Sequence, residues 1–328
     1  MRLADAFGRV ATDLRLSLTD RCNLRCTYCM PPEGLPWAAR AELLTDDEIV
    51  RLVGIAVGRL GIRQVRLTGG EPTLRPGLVD LVARLAAASP RPELSLTTNG
   101  LMLAALAGPL AAAGLDRVNV SLDTLRRDRF TALTRRDRLA DVLAGLAAAE
   151  AAGLRPVKVN SVLMRGVNED EAPDLLRWAL ERGYHLRFIE QMPLEAHDSW
   201  RRADMVTAPE VLDALRREFT LRPLGGRGSA PAELFSVGGG PAAVGVIASV
   251  TAPFCAACDR VRLTADGQVR DCLFARAESD LRGPLRAGAD DEELARRWVA
   301  AVAGKRRGHG VDGPGFARPD RPMSAIGG

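Results

Sequence analysis

Three cysteines fall within eight positions of the stretch TDRCNLRCTYCM, at Cys22, Cys26 and Cys29, and the three others of the chain lie far downstream at Cys255, Cys258 and Cys272. A disulfide uses thiols in pairs and a closed tetrahedral metal site takes four. Two triads with none left over therefore point to metal centres that each keep one coordination position for a molecule other than the protein. Soft thiolate sets select zinc, copper(I) or iron-sulfur clusters. Zinc usually recruits histidine to complete a partial cysteine set, and His185, His197 and His309 show no ligand spacing. Iron-sulfur chemistry is the better fit.

Loops of this kind need a scaffold that holds them at strand ends. The runs LRLSLT, QVRLT, ELSLTT, RVNVSLD, VKVNSVLM and HLRFIE read as strands, and amphipathic or alanine-rich helical segments separate them. That alternation builds parallel sheets through right-handed crossovers. Thr45 with Glu48 opens one helix, reaching to Arg59, as a capping box; Asn168 is expected to cap another, which Gly183 stops. Six such units predict an incomplete TIM-like (β/α)6 barrel over residues 1–218, with functional groups at the carboxyl ends of the strands. A doubly wound sheet would place a glycine-rich phosphate fingerprint after its first strand, where the first triad stands instead. Beyond residue 218 the texture turns Gly- and Pro-rich, and residues 219–328 are expected to form a smaller C-terminal α+β domain with a helix from about Asp290 to Ala303.

The C-x3-C-x2-C spacing, with the aromatic Tyr28 before its last cysteine, resembles the signature of the radical S-adenosylmethionine (SAM) enzymes. The resemblance implies a [4Fe-4S] cluster held by three cysteines, its fourth iron chelated by the amino and carboxylate groups of SAM. Reductive cleavage of SAM then yields a 5′-deoxyadenosyl radical, chemistry that belongs to the cofactors and that the protein orients. The turn RLTGGEPTLR, residues 66–75, corroborates it. Its glycines permit close backbone approach, and in the family this turn contacts the SAM amino group. The second triad, in FCAACDRVRLTADGQVRDCLF, and the terminal IGG make the whole chain similar to the MoaA family of GTP 3′,8-cyclases, which start molybdenum-cofactor biosynthesis.

That resemblance implies a second [4Fe-4S] cluster facing the guanine of GTP and the product (8S)-3′,8-cyclo-7,8-dihydroguanosine 5′-triphosphate. It also implies an electron donor of flavodoxin or ferredoxin type and a downstream cyclic pyranopterin monophosphate synthase, and it leaves a homodimer open. Matched residue by residue, it places the first cluster on Cys22, Cys26 and Cys29 and the second on Cys255, Cys258 and Cys272. SAM contacts fall on Tyr28, Gly70, Ser121 and Met192, and GTP contacts on Arg15, Arg66, Thr97, Lys158, Arg260, Val261 and Arg262. Arg15, Arg260, Arg262 and the tail glycines Gly327 and Gly328 are placed at the reacting centre. Arg260 and Arg262 have independent support, since they alternate on a β-like run and present planar forks suited to phosphate oxygens. Lys158 stands out because, of the 45 basic residues, only it and Lys305 are lysines. Asp259, between Cys258 and Arg260, departs from the asparagine more usual in the family and adds a negative charge there.

Composition narrows the remaining classes. A chain of 328 residues, 47% hydrophobic and 26% charged, is neither disordered nor fibrous. Its net charge of +4 is carried without a basic stripe, and aromatics are 4%, which argues against nucleic acid. The amino terminus lacks a continuous apolar region, and the most apolar run, residues 101–115, is shorter than a membrane span. A cytoplasmic enzyme without membrane attachment is expected, with cysteines as ligands rather than disulfides. Two rivals stand: a twin-cluster radical SAM enzyme acting on another substrate, and a zinc or cluster module that binds nucleic acid.

Overall fold

Residues 13–17 alternate Asp-Leu-Arg-Leu-Ser, and the same two-residue period runs through the next five strands. The computed structural model describes residues 1–195, 200–311, 313 and 316–327; His197 and Gly328 lie outside them. The strands are β1 (Asp13–Ser17), β2 (Gln64–Thr68), β3 (Glu93–Thr98), β4 (Arg117–Ser121), β5 (Lys158–Val162) and β6 (His185–Ile189). Helices α1 (Asp46–Gly58), α2 (Leu78–Ala86), α3 (Leu103–Ala112), α4 (Arg127–Thr134), α5 (Leu139–Ala151) and α6 (Ala172–Arg182) connect them.

The six strands pair in parallel and in sequence order, the arrangement of a barrel wall rather than of a doubly wound sheet. After α7 (Ala208–Arg216) come β7 (Leu221–Pro223), β8 (Glu233–Val237), β9 (Ala243–Ile247), β10 (Arg260–Leu263), β11 (Gln268–Arg270) and β12 (Ser279–Asp280). These continue the same sheet at both edges, with β9 parallel to β6 and β10 parallel to β1. Helices α8 (Arg282–Arg286), α9 (Asp291–Ala303) and α10 (Met323–Ile326) complete the α-helices of the described residues. Among the described residues no helix is long and apolar enough to cross a membrane.

Which face a residue occupies follows from the alternation. Leu14, Leu16, Val65, Leu67, Leu94, Leu96, Val118, Val120 and Phe188 belong to the apolar core between strands and helices. The opposite face of the same strands carries Arg15, Arg66, Thr97, Asn160 and Arg187, which line a cavity. A TIM barrel ordinarily fills its interior with branched apolar side chains. Here the lumen is polar and strongly basic.

The expected capping box at Thr45 is present, with Glu48 N donating to Thr45 Oγ1 and Thr45 N to the Glu48 carboxylate. Gly183 stops α6 at φ 67°, and Asp290 caps α9 through Glu293 N. Asn168 differs from expectation. Its side chain makes no cap; the amide Nδ2 donates to the carbonyls of Asp123 and Val162 at 2.7 and 3.0 Å, and Oδ1 accepts from Met164 N. A buried Asn can serve several backbone groups at once, and cross-linking the β4 and β5 ends satisfied more of them than a cap would.

Candidate functional site

The first triad sits on the loop leaving β1, folded back by hydrogen bonds from Cys29 N and Met30 N to the Cys26 carbonyl at 2.9 and 3.0 Å. Arg25 donates to the Cys22 carbonyl, and Arg135, a non-glycine residue at φ 56°, donates to the carbonyls of Arg25 and Met30. Asn99 directs its amide at Cys22 Sγ from 3.9 Å. None of the thiols is in a disulfide. Burial, reinforced by the Cys22 thiol and Glu195, pushes Cys29 up to about 12; burial also raises Cys22 and, still further, Cys26. Such thiols stay protonated at neutral pH unless a metal group displaces the protons, which is how thiolate ligands couple to metal uptake.

The glycine turn explains itself at this loop. Gly70 N donates to the Thr19 carbonyl and Glu71 N to the Arg21 carbonyl. A Cβ on Gly70 would meet Arg21 O at 2.3 Å and Asp20 O at 2.5 Å, so the close approach that requires glycine is to the cysteine loop itself. Glu71, fully covered, accepts from Asn99 N, Thr98 Oγ1 and both Thr73 N and Oγ1, fastening the ends of β2 and β3 together. Tyr28 donates to Asp123 at 2.7 Å, and Val162 N holds the other Asp123 oxygen; burial pushes this carboxyl up to about 6. One cavity is walled by the three cysteines, Tyr28, Gly70, Glu71 and Ser121. We expect Gly70→Ala to displace the loop and weaken SAM binding by about 1–3 kcal/mol, the usual range for overpacking, measured by calorimetry on the reconstituted protein.

A second cavity lies beside it, and Thr97 and Met323 line both. Its walls carry a row of arginines in register, Arg262 on β10 opposite Arg15 on β1 and Arg15 opposite Arg66 on β2, joined by Arg260 and Arg187. Arg15 is paired with Asp13 at 2.9 Å. Burial works against the Asp13 charge, yet Arg15, Arg66 and Arg260 hold its carboxyl below the usual range. The guanidiniums depress one another: Arg187 falls to about 9 through burial with Arg15 and Arg117 nearby, and Arg262 to about 9 through burial and Arg15. Nε of Arg66, Arg187 and Arg260 and Oδ1 of Asn160 are buried without a hydrogen-bond partner. Buried polar atoms are ordinarily satisfied. This set therefore fits a polyanion that also offers a donor to Asn160.

The second triad borders the same cavity. Cys255, Cys258 and Cys272 line it with Phe254, whose ring lies 4.7 Å from the Arg260 guanidinium. Glu190 anchors the loop that leads there, accepting from Ala208 N, Val250 N, Thr251 N and Thr251 Oγ1. Asp259 accepts from Thr12 Oγ1 at 3.0 Å at the start of β1, and its charge still acts on Arg260, against the lowering by burial. Among the described residues no three His, Cys, Asp or Glu side chains are gathered as ligands of a single ion. A four-iron cluster would take its three thiolates without their converging on one ion, and each triad lines a cavity that could receive it.

The carboxyl-terminal segment enters between the two cavities. Ser324 and Ile326 are buried, and the Gly327 carbonyl accepts from Arg262 Nη1. Gly327 has φ 88°, and a Cβ there would meet Thr68 Cγ2 at 2.9 Å.

Of the residues expected at the SAM site, Tyr28, Gly70 and Ser121 line the first cavity, whereas Met192 lines the second. Of those expected at GTP, Arg15, Arg66, Thr97, Arg260 and Arg262 line the second cavity. Val261 does not; the strand period turns it into the apolar core, opposite Leu14. Lys158 begins β5 outside the cavity lining, where burial and then Arg187, Arg117 and Arg66 bring its ammonium down to about 7. Arg187, Asn160, Glu71 and Asp123 escaped the sequence reading. The signal for Arg187 was present in HLRFIE, where an arginine interrupts an apolar strand at a lumen-facing position.

The radical SAM superfamily profile matches residues 16–179, and the profile described as Molybdenum Cofactor Synthesis C matches residues 184–311. A protein of Streptomyces coelicolor named GTP 3′,8-cyclase is 68% identical over 99% of this chain and 96% of its own length. One of Mycobacterium sp. (strain KMS) with the same name is 62% identical over 99% of this chain and 93% of its own. Among solved structures, Streptococcus suis SuiB superposes with a TM-score of 0.61 at 13% identity, over 86% of this chain and 67% of that one, a likeness of fold. A polar barrel lumen, two open thiol triads and full-length identity at this level leave one assignment: the chain belongs to the GTP 3′,8-cyclase family of radical SAM enzymes.

Proposed function

We propose that the chain converts GTP into (8S)-3′,8-cyclo-7,8-dihydroguanosine 5′-triphosphate, an early step of molybdenum-cofactor biosynthesis. The observation that carries this reading is the junction at Thr97 and Met323, where a cavity walled by one triad and the glycine turn meets a cavity walled by the other triad and buried arginines. Cys22, Cys26 and Cys29 would hold a [4Fe-4S] cluster with SAM beside Tyr28, Gly70 and Ser121, Met192 contributing from the second cavity. Cys255, Cys258 and Cys272 would hold the other cluster, open toward the guanine. When bound, the first cluster and SAM would supply one-electron reductive cleavage to methionine and, with the hydrogen atom taken from the ribose C–H bond, 5′-deoxyadenosine.

The chain's own residues do the rest. Arg15, Arg66, Arg187, Arg260 and Arg262 bind the triphosphate, whose negative charge relieves their mutual repulsion and favours the protonated form of Lys158, which begins β5 outside the cavity lining. Gly327, whose carbonyl accepts from Arg262, closes the cavity against water; Gly328 lies outside the described residues. In this reading residues 1–218 serve SAM cleavage and residues 219–328 bring the second cluster and the tail to the substrate. An external flavodoxin- or ferredoxin-type donor reduces the protein, and a cyclic pyranopterin monophosphate synthase consumes the product. Unbridged thiols suit the reducing cytoplasm.

Anaerobic purification followed by metal analysis and turnover tests this reading. About eight irons per chain, with 5′-deoxyadenosine released in proportion to GTP consumed, is the expected result. Zinc in place of iron, or 5′-deoxyadenosine release that ignores GTP while another substrate is consumed, refutes it.

A further inference from the structure

Lys305, one of the two lysines in a chain of 45 basic residues, follows α9 and is buried, 5% exposed. Its ammonium donates to the Arg260 carbonyl at 2.7 Å and faces Cys258 Sγ at 3.4 Å and the Cys258 carbonyl at 3.5 Å. An ammonium has three hydrogens, and each has an acceptor here. The segment carrying it is held by Arg9, which donates to the carbonyls of Cys255 and Arg306 at 2.6 Å and of Arg307 at 3.0 Å. Arg9, itself held by an ion pair with Asp5, grips this segment through backbone carbonyls, while Lys305 reaches the sulfur.

We propose that Lys305 is a positioning residue of the second cluster: its ammonium hydrogen-bonds the Cys258 sulfur and favours the one-electron-reduced form, and it ties that sulfur to the strand bearing Arg260 and Arg262. The proposal rests on the reading of the second triad as cluster ligands. Hydrogen bonds to ligand sulfur and nearby positive charge both stabilise the more negative, reduced cluster. Arginine would not replace it, because the planar fork spreads its charge and cannot serve three acceptors converging on one nitrogen. The same nitrogen contacts the cluster ligand and the strand of the phosphate arginines, so the second cluster and the triphosphate site share one rigid support.

The test uses the full chain, reconstituted without oxygen. Iron content of the unaltered protein comes first; about four irons, or zinc, would show that the second-triad reading has failed, independently of Lys305. With about eight irons, an electron-paramagnetic-resonance redox titration follows, the second cluster being identified by its change of signal when GTP is added. Lys305→Met is expected to lower the reduced-to-oxidised ratio of that cluster about tenfold at fixed potential, about 59 mV for a one-electron couple, and to leave the first cluster unmoved. Lys305→Gln, a neutral donor, should shift it part of the way. An unchanged potential in Lys305→Met overturns the proposal. Should Lys305→Met fail to load the second cluster, Lys305→Gln decides: a lowered potential supports the proposal, and either an unchanged potential or failure to load overturns it.

Discussion

Cys26→Ser abolishes SAM cleavage, with 5′-deoxyadenosine falling to the level of a mixture without protein and iron dropping from about eight to about four atoms per chain. The expectation follows from the cost of the charge. Burial already holds the Cys26 thiol well above its ordinary value, with Cys29, Asp123 and Cys22 adding to it, so the thiolate exists there only against a metal. A serine hydroxyl is far less acidic and is a harder donor, poorly matched to iron in a sulfide cluster. Cys26 is not among the residues lining the arginine cavity, whose walls come from β1, β2, β3, β5, β6, β9, β10 and the loop of the second triad. GTP affinity is therefore retained, and calorimetry separates lost chemistry from lost folding. SAM cleavage persisting in Cys26→Ser with eight irons would remove the first triad from the mechanism.

Removing Gly327 and Gly328 is expected to lower cyclisation by about 100-fold or more, the scale on which small misplacements of reacting groups act, while both clusters and SAM cleavage remain. The Gly327 carbonyl is an acceptor for Arg262, and the tail sits against Ser17 and Thr68 inside the lumen. Without it Arg262 loses its restraint and water gains entry beside the substrate. Gly327→Ala should share much of the loss, since φ 88° disfavours any Cβ and that Cβ would lie 2.9 Å from Thr68 Cγ2. Product analysis by mass spectrometry, together with an iron count, checks both variants. Full cyclisation by the truncated chain would show that the tail is packing alone.

The elements were legible because each rested on local chemistry. Alternating strands, the Thr45 box and the Gly183 stop depend on neighbours within a few positions, and all three stand where the pattern put them. Asn168 was misread because a cap and a cross-strand amide bridge look alike in one dimension; the Asp123 carbonyl it bonds lies 45 positions away in the chain. Gly70 was expected to make room for a ligand, and the nearest obstruction turned out to be the carbonyls of Asp20 and Arg21. The arginines at β1, β2 and β10 were individually visible, but their standing in one register was not. Strand pairing between residues 15 and 262 is a property of the assembled sheet.

Two open thiol sets, the strand-helix alternation and the glycine turn were determined by residue type and short spacing alone, because ligation number, side-chain period and backbone freedom are local constraints. Whether those sets face one another was decided by the tertiary fold. Only when β10 pairs with β1 and the tail passes through the lumen do Cys258, Arg15 and Gly327 come to neighbouring positions around the two cavities. Long-range pairing sets the distances on which electrostatics and substrate orientation depend, and no stretch of sequence contains them.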